Sequence, residues 1–271
     1  MTDQYCVIGN PISHSKSPMI HTAFARQTGE DLSYSTLLAP RDGFASSVKA
    51  FIASGGRGAN VTLPFKEEAF QLADRRTPRA ELAGAVNTLI FSEDGCLGDN
   101  TDGAGLMRDI TVNLGFSPVG KRVLLLGAGG ASRGVIGPLL EARPAGLVIA
   151  NRTAAKAKAL AECFVARGPV SGVGFPDLAG EVFDLVINAT SASIDGESLP
   201  LPVGLFAAGS LAYEMMYGRG ETPFLCFARA EGASCLADGL GMLVEQAAEA
   251  FFLWRGVRPE GVPVMAMLHN A

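Results

Sequence analysis

Residues 123–134 read VLLLGAGGASRG, an apolar strand that enters a glycine turn and opens directly into a helix. Glycine lets such a turn tighten and lets the backbone come close to an anion. The first N–H groups of the helix lack intrahelical partners, and they point at the same place as the positive end of the helix dipole. The stretch therefore predicts the pyrophosphate cradle of a dinucleotide-binding unit, formed by Gly127, Ala128, Gly129, Gly130 and Ala131.

The residues after the next apolar run, Leu147 to Ala150, indicate which dinucleotide is bound. Asn151-Arg152-Thr153 stands where a dinucleotide fold carries an acid for a free ribose 2′-hydroxyl and a cation for a 2′-phosphate. Arg152 therefore predicts NADP. Lys156, one turn into a helix that Thr153 is expected to cap, adds a second positive charge.

Each half of this signal has a simpler explanation by itself. Ser132 replaces the third glycine of the usual GxGxxG pattern, so the turn alone could join any strand to any helix. Arg152 alone would most often be a solvated surface cation. The two signals together, in this order along the chain, favour the NADP site.

Composition excludes several classes of protein. The 271 residues are 48% hydrophobic, 18% charged and include 33 glycines, which suits a large core and two domains. A net charge of -5 without a basic tract argues against nucleic acid or an anionic membrane surface as partners. The 5 cysteines are scattered, without CxxC or a histidine cluster, which predicts reduced thiols and no metal. No apolar run approaches the roughly 18 residues that span a bilayer. We expect a soluble, cytoplasmic protein.

Strand-like and helix-like segments alternate at the start of the chain, at Tyr5–Gly9, Pro18–Gln27, Leu32–Leu38, Phe44–Ala53 and Ala59–Leu63. This alternation favours parallel βαβ units. Thr77-Pro78 predicts a helix start with Thr77 as N-cap, and the Asp94-Gly95 turn predicts a hairpin between residues 87–91 and 96–100.

A helix from Gly103 to about Leu114, ended by Gly115, marks the predicted domain boundary. Two apolar runs, Val182–Ala189 and Leu211–Met216, continue the second domain as strands covered on both faces. A helix over Leu240–Trp254 is expected to return to the first domain.

The predicted fold class is therefore α/β with two domains and an active cleft between them. Residues 1–102 plus 238–271 would form a substrate domain with a mostly parallel sheet, and residues 103–237 a Rossmann-like NADP-binding domain.

Polar residues cluster at three places outside the nucleotide unit. Ser15 and Ser17 precede a helix and could bind an anionic group such as a carboxylate, although Ser17 before Pro18 also fits a helix N-cap. His14 beside them is interpreted as an ordinary surface or capping residue.

The other two clusters lie at the strand Ala59–Leu63 and at the predicted hairpin. Asn60 and Thr62 share one face of that strand, and Lys66 follows at the turn into a helix, where it could equally belong to a charged surface. Asn87 precedes Asp102, which could simply cap the helix that starts there.

Eight sequence blocks, in this order, resemble the shikimate dehydrogenase family from near Tyr5 to near Pro263. They are GNPISHSKSP, GANVTLPFKEEA, AGAVNT, GDNTDG, GAGGASRG, NRT, the Glu214–Tyr217 segment and ADGLGMLVEQAA. Eight ordered blocks over nearly the whole chain are far more specific than any one of them.

The resemblance implies reversible, NADPH-dependent reduction of 3-dehydroshikimate to shikimate, a step of chorismate and aromatic amino-acid biosynthesis. It implies a catalytic pair, Lys66 and Asp102, and a substrate carboxylate held by Ser15 and Ser17 close to Tyr217. The ring hydroxyls would contact Asn60, Thr62, Asn87, Asp102 and Gln246. Further cofactor contacts are implied at Thr190, Met215, Gly239 and Met242.

The chemistry has its own physical logic. Hydride that arrives at a carbonyl carbon builds charge on the oxygen, which an ammonium and a carboxylate within hydrogen-bond reach can stabilise and protonate.

Two departures from the family pattern are visible. Ala192-Ser193-Ile194 stands where the family often has a glycine and a methionine, so the loop beside the nicotinamide is expected to differ in shape. Lys156 stands where many members have a second arginine, and a lysine is a point charge rather than a planar fork.

Other functions stay open at this point. One alternative is a relative that acts on quinate or an aminated shikimate, with NAD in some cases; another is a non-catalytic NADP-binding sensor. The expected partner is a small-molecule substrate, and the chain is expected to be a monomer or a homodimer.

Overall fold

The structure is a computed structural model that describes residues 2–192, 197–218 and 220–270. The chain divides into two compact units. The first comprises Met1–Gly105 and Leu243–Ala271, and the second comprises Leu106–Met242. The fold class is α/β, as predicted. Ser193 and Ile194, part of the loop expected to differ from the family, lie outside the described residues.

The first unit alternates strands and helices around one mixed sheet. Its elements before the division are β1 (Asp3–Gly9), α1 (Ser17–Thr28), β2 (Leu32–Leu38), α2 (Phe44–Ala53), β3 (Gly56–Val61), α3 (Lys66–Leu72), β4 (Arg75–Arg76), α4 (Pro78–Ala83), β5 (Thr88–Ser92) and β6 (Gly95–Asp99). The sheet order is β2-β1-β3-β5-β6-β4. Strand β1 runs parallel to β2 and β3, whereas β5 is antiparallel to β3 and β6. The predicted βαβ units and the hairpin at Asp94-Gly95 are confirmed.

Strand β3 ends two residues earlier than predicted, at Val61 rather than Leu63. Thr62 begins a tight turn in which its carbonyl oxygen accepts from Phe65 N at 3.0 Å. This turn, which includes the cis peptide bond Leu63-Pro64, leads directly into α3 at Lys66.

The alternative interpretation of Ser17 as the N-cap of α1 is wrong. Lys16 is the N-cap, and Ser17 is the first helical residue. By contrast, Thr77 does cap α4, because its Oγ1 accepts from Ala80 N at 3.3 Å.

A helix that begins with α5 (Asp102–Arg108) continues as a π-helical turn, Asp109–Asn113. Leu114 caps it, and Gly115 follows with φ +64°. The predicted helix and its glycine stop are therefore confirmed, but the wider π turn was not expected. It places Asp109 where its Oδ2 accepts from the Tyr213 hydroxyl at 2.6 Å.

The second unit has a parallel sheet with helices between its strands. Its elements are β7 (Arg122–Leu126), α6 (Gly130–Glu141), β8 (Gly146–Asn151), α7 (Ala154–Glu162), β9 (Val170–Gly174), β10 (Phe183–Asn188), β11 (Phe206–Glu214), α8 (Pro223–Ala230) and β12 (Cys235–Ala237). The strand order is β12-β11-β10-β7-β8-β9. From β7, the chain first adds strands on one side and then on the other, which is the Rossmann arrangement. Leu124, Leu126 and Val186 are fully buried, as expected for strands covered on both faces.

The last two helices, α9 (Leu240–Arg255) and α10 (Gly261–His269), complete the first unit from Leu243 onward. Trp254 Nε1 donates to Leu89 O at 3.0 Å, which ties α9 to β5. This confirms that the long helix returns to the first unit. Within the described part of the chain, no helix is both long and apolar enough to cross a membrane.

Candidate active site

Lys66 and Asp102 form an ion pair in the first unit. Lys66 is the first residue of α3 and Asp102 the first of α5, so the turn after β3 and the end of β6 bring them together. Lys66 Nζ lies 2.6 Å from Asp102 Oδ2, and the two side chains are 28% and 13% exposed. The alternative that Asp102 only caps a helix is wrong, because its carboxylate binds other side chains. The pair keeps a path to solvent while most of it is shielded, which suits proton transfer.

Asn87 binds the second oxygen of the same carboxylate. Its Nδ2 lies 2.8 Å from Asp102 Oδ1 and 3.3 Å from Gln246 Oε1. Its Oδ1 accepts from Thr101 N at 2.9 Å and from Thr88 Oγ1 at 2.9 Å. Asn87 therefore fixes one oxygen of Asp102 and leaves the other for Lys66.

Gln246 reaches this cluster from helix α9. Its Oε1 accepts from Thr101 Oγ1 at 3.4 Å, and its Nε2 donates to Leu243 O at 2.9 Å. A Cβ on Gly105 would lie 2.6 Å from both the N and the Cβ of Gln246. Only glycine at position 105 therefore lets α5 and α9 approach this closely.

Asn60 and Thr62 lie at the end of β3, beside the cluster. Asn60 is buried, and its Nδ2 is 3.3 Å from Asn87 O and 3.2 Å from Thr88 Oγ1. Thr62 is half-buried and donates its backbone N–H to Ile8 O at 2.9 Å. Asn60, Asn87, Asp102, Lys66 and Gln246, all predicted from the sequence, thus belong to one hydrogen-bonded network.

The two serines lie together at the start of α1. Ser17 N donates to Ser15 Oγ at 3.3 Å. His14 is exposed, in agreement with its interpretation as a surface residue. Tyr217 belongs to the second unit and follows β11.

The glycine turn of the second unit leaves its backbone open. Gly127 follows β7 with φ +106°, and a Cβ on it would lie 3.2 Å from both Ser132 Oγ and Thr190 Cγ2. Gly129 is the N-cap of α6, and a Cβ on Gly129 or Gly130 would meet nothing within 4 Å. The space beside these two glycines is therefore open, and the first N–H groups of a helix lack intrahelical partners, so the turn fits a dinucleotide pyrophosphate.

The predicted 2′-phosphate residues follow β8. Arg152, Thr153 and Lys156 are exposed, and neither cation forms an ion pair with any residue that the structure describes. Thr153 is the N-cap residue of α7, but its hydroxyl makes no capping bond, so that part of the prediction is wrong. Its carbonyl oxygen instead accepts from Asn151 Nδ2 at 3.1 Å.

The other predicted cofactor residues lie beyond the carboxyl ends of three later strands, β10, β11 and β12. Thr190 follows β10, Met215 follows β11 and Gly239 follows β12. A Cβ on Gly239 would overlap the carbonyl oxygen of Met215, and Met242 N donates to the Tyr213 hydroxyl at 3.2 Å. The predicted cofactor set thus lies along one edge of the parallel sheet, the edge at which open α/β sheets bind their ligands.

A buried carboxylate, Glu214, and a buried amide, Asn188, support this edge, and sequence analysis assigned neither to the site. Glu214 Oε2 accepts from Asn188 Nδ2 at 2.8 Å and from Thr222 Oγ1 at 3.1 Å. Asn188 Oδ1 in turn accepts from Thr190 N at 3.1 Å and from Thr190 Oγ1 at 2.8 Å. Glu214 therefore helps to hold the loop after β10.

Four supporting residues of the first unit were also missed: His21, Tyr34, Thr88 and Thr101. Thr101 lies inside the GDNTDG block and could have been found there. No local pattern marks the others, because their partners are distant in sequence. No group of three or more potential metal ligands occurs among the residues described.

Comparison with known families and proteins gives matches along most of the chain. Residues 7–89 match "Shikimate dehydrogenase substrate binding domain", residues 113–194 match "Shikimate / quinate 5-dehydrogenase" and residues 239–267 match "Shikimate 5'-dehydrogenase C-terminal domain". Shikimate dehydrogenase (NADP(+)) of Dechloromonas aromatica (strain RCB) is 66% identical over 268 residues, 99% of this chain and 98% of that protein.

Solved structures of similar proteins share this fold. An Ael1 enzyme from Pseudomonas putida has a TM-score of 0.93 and 50% identity, and the match covers 98% of each chain. Shikimate 5-dehydrogenase from Thermus thermophilus, in complex with NADP(H) and shikimate, has a TM-score of 0.87 and 33% identity over 99% of each chain.

Proposed function

The chain belongs to the shikimate dehydrogenase family, and from that premise we propose how its own residues carry out the family's reaction. The reaction is the reversible, NADP-dependent reduction of 3-dehydroshikimate to shikimate. The single observation that carries the proposal is the 2.6 Å contact between Lys66 Nζ and Asp102 Oδ2, with Asn87 on the second carboxylate oxygen. This arrangement holds an ammonium and a carboxylate together at a partly shielded place.

NADPH, when bound, supplies the hydride. As negative charge builds on the ketone oxygen, the Lys66 ammonium stabilises it and donates a proton to it. Asp102 keeps Lys66 in place and accepts a hydrogen bond from a neighbouring substrate hydroxyl. In the direction of oxidation, the same pair removes the proton from the hydroxyl group.

Substrate binding is assigned to the first unit. The Ser15 and Ser17 hydroxyls bind the carboxylate of the substrate, and Tyr217 of the second unit contributes a further hydroxyl. The ring hydroxyls bind to the remaining members of the predicted set: Asn60, Thr62, Asn87 and Gln246. Amide and hydroxyl groups that are already ordered by their neighbours lose little entropy on binding.

Cofactor binding is assigned to the second unit. We place the substrate-binding domain at residues 1–102 plus 238–271 and the cofactor-binding domain at residues 103–237. The backbone of Gly127–Ala131 would hold the pyrophosphate, and Arg152 with Lys156 the 2′-phosphate. Support comes from the open glycine turn and from two exposed cations without ion-pair partners in the described residues. We also propose that the protein is cytoplasmic. We propose further that it is a monomer or a homodimer, and light scattering after size exclusion would test this oligomeric state.

Absorbance at 340 nm tests the function directly. Purified protein is mixed with shikimate and NADP⁺, with parallel reactions that contain quinate or NAD⁺. We expect rapid formation of NADPH with shikimate and much slower reactions in the parallel samples. Nucleotide binding without any absorbance change would indicate a sensor, and a faster reaction with quinate or NAD⁺ would replace the proposed substrate or cofactor.

A further inference from the structure

The carboxamide of Asn60 has only one orientation that its surroundings allow. Its nitrogen lies 3.3 Å from the carbonyl oxygen of Asn87, which can only accept. The amide must therefore present Nδ2 to Asn87 and Oδ1 to the opposite side. There, Oδ1 lies 2.7 Å from the Tyr34 hydroxyl and 3.1 Å from His21 Nε2.

This orientation fixes the tautomer of His21. Because Asn60 Oδ1 accepts, His21 must carry its hydrogen on Nε2. The other ring nitrogen, Nδ1, is buried and has no hydrogen-bond partner among the described residues, as expected for the unprotonated nitrogen. Burial lowers the pKa of His21 to about 3, so the ring is neutral near pH 7.

The His21 ring is held firmly by aromatic neighbours. It stacks on Tyr34 with a centroid distance of 4.2 Å and an interplanar angle of 7°. Trp254 and Phe251 of α9 lie at 5.3 and 6.2 Å, and Phe24 of α1 lies at 6.0 Å, edge-on. The ring cannot turn away from Asn60 without displacing these neighbours.

Tyr34 and His21 together complete the bonding of Asn60. The two lone pairs of Oδ1 bind Tyr34 and His21, and the two hydrogens of Nδ2 bind Asn87 O and Thr88 Oγ1. The bonds from Nδ2 are the longer and therefore the weaker ones. A substrate hydroxyl can thus replace one of them while the two bonds to Oδ1 keep the carboxamide in place.

The same contacts extend to the proposed catalytic pair. Thr88 and Asn87 continue the chain of bonds to Asp102.

We propose that His21 and Tyr34 are a positioning pair that fixes the Asn60 carboxamide, and with it Asn87, for shikimate binding. The pair does not touch the substrate itself. The role of the pair rests on the proposed function, whereas the His21 tautomer does not depend on that function.

Steady-state kinetics of ring-preserving variants test the role. We expect His21→Phe and Tyr34→Phe each to lower kcat/KM for shikimate about tenfold, mainly through KM, because each removes one hydrogen bond to Asn60. His21→Gln restores a donor at the place of Nε2 and is expected to stay within about threefold of the wild type. The KM for NADP⁺ should stay within about twofold in all three variants.

Phe251→Leu is the matched control, because it loosens the same aromatic cluster without removing a hydrogen bond. It should lower Tm at least as much as His21→Phe and keep kcat/KM within about twofold. An equal loss of kcat/KM in Phe251→Leu would reduce the pair to a packing role and overturn the proposal. So would wild-type kinetics in Tyr34→Phe.

Nitrogen-15 NMR of the unmodified protein tests the tautomer without any assay of activity. The chain has 3 histidines, and one ring should show the neutral form with hydrogen on Nε2. A buried ring protonated on Nδ1 would contradict the proposed geometry. If the wild type lacked shikimate-dependent activity but kept the Nε2–H tautomer, the proposed function would fail while the arrangement of Asn60 stood.

Discussion

Lys66 Nζ and Asp102 Oδ2 lie 2.6 Å apart although the two residues are 36 positions apart in the chain. Each is the first residue of a helix, and each helix follows a strand of the same sheet. Their contact depends on the pairing of β3 with β5 and of β5 with β6. The pairing of the strands therefore determines where the backbones of the proposed acid–base pair lie, and their contact does not depend on side-chain flexibility alone.

Lys66→Ala removes the ammonium that stabilises and protonates the ketone oxygen. We expect kcat to fall by about 10² to 10⁴, the usual range for loss of general acid–base help, with unchanged affinity for NADP⁺. Stopped-flow absorbance and nucleotide titration measure the two quantities. Lys49→Ala, at an exposed lysine of α2, is the control. Full turnover of the Lys66 variant would remove this residue from the mechanism.

Lys66 and Asp102 are expected to act as a unit. If they do, the double variant Lys66→Ala, Asp102→Ala should have a kcat within about threefold of the slower single variant, since the losses of coupled groups do not add. The measurement is a double-mutant cycle at saturating shikimate and NADP⁺. Losses that multiply would mean that the two side chains act in separate steps.

Arg152→Ala should change the preference between the two nicotinamide dinucleotides. Loss of a charge-assisted contact with the 2′-phosphate is expected to raise the KM for NADP⁺ about 10- to 100-fold and to leave the KM for NAD⁺ nearly unchanged. Arg167→Ala, also at an exposed arginine of the second unit, should change neither constant. Equal increases for both dinucleotides would place Arg152 away from the 2′-phosphate.

Gly105→Ala should disturb Gln246 and the close contact of α5 with α9. The new methyl group would lie 2.6 Å from two atoms of Gln246, so the first unit should lose about 1–3 kcal/mol of stability. The KM for shikimate should rise with it, as measured by urea unfolding and kinetics. Gly146→Ala, where a Cβ meets nothing within 4 Å, is the matched control. Wild-type stability at position 105 would contradict the tight contact.

His21 should make the first unit less stable in acid. Its pKa falls from 6.5 in the unfolded chain to about 3 in the folded chain because of burial, so between these values the unfolded state binds more protons. Stability that is present above pH 6.5 is therefore lost as the pH falls. Between pH 6.5 and pH 5.0, the wild type should lose about 1.5 kcal/mol more than His21→Gln.

Urea unfolding at the two pH values, followed through the fluorescence of Trp254, measures this difference; the chain has 1 tryptophan. Phe24→Leu, which loosens the same cluster and keeps the imidazole, should retain the wild-type dependence on pH. Identical dependence in His21→Gln would show that His21 is not held neutral by burial.

Local sequence patterns predicted most of the strands and helices. The limits of β2 (Leu32–Leu38) and α2 (Phe44–Ala53) were predicted to the residue, because their hydrophobic periodicity ends at turn residues. The hairpin at Asp94-Gly95 followed from turn chemistry alone. The Rossmann unit followed from one apolar strand, its glycine turn and the cation after the next strand.

Elements that depend on their neighbours were not predictable in the same way. Strand β12 has only three residues, and β9 (Val170–Gly174) contains two glycines, so each is a strand because an adjacent strand supplies the ladder. His21 and Tyr34 lie 39 and 26 positions from Asn60. Nothing local to either residue reveals that contact, which exists only after β1 has paired with β2 and β3.

The discontinuity of the first unit has a consequence for biosynthesis. Helices α9 and α10 belong to the first unit but follow the second unit in the sequence. During synthesis on the ribosome, the whole segment 106–242 therefore emerges before these two helices can pack on the first unit. Until then, β5 lacks Trp254, and Thr101 lacks Gln246. The nucleotide-binding half can therefore fold while the substrate-binding half is still incomplete and exposes apolar surface. During this interval, chaperones could bind that surface.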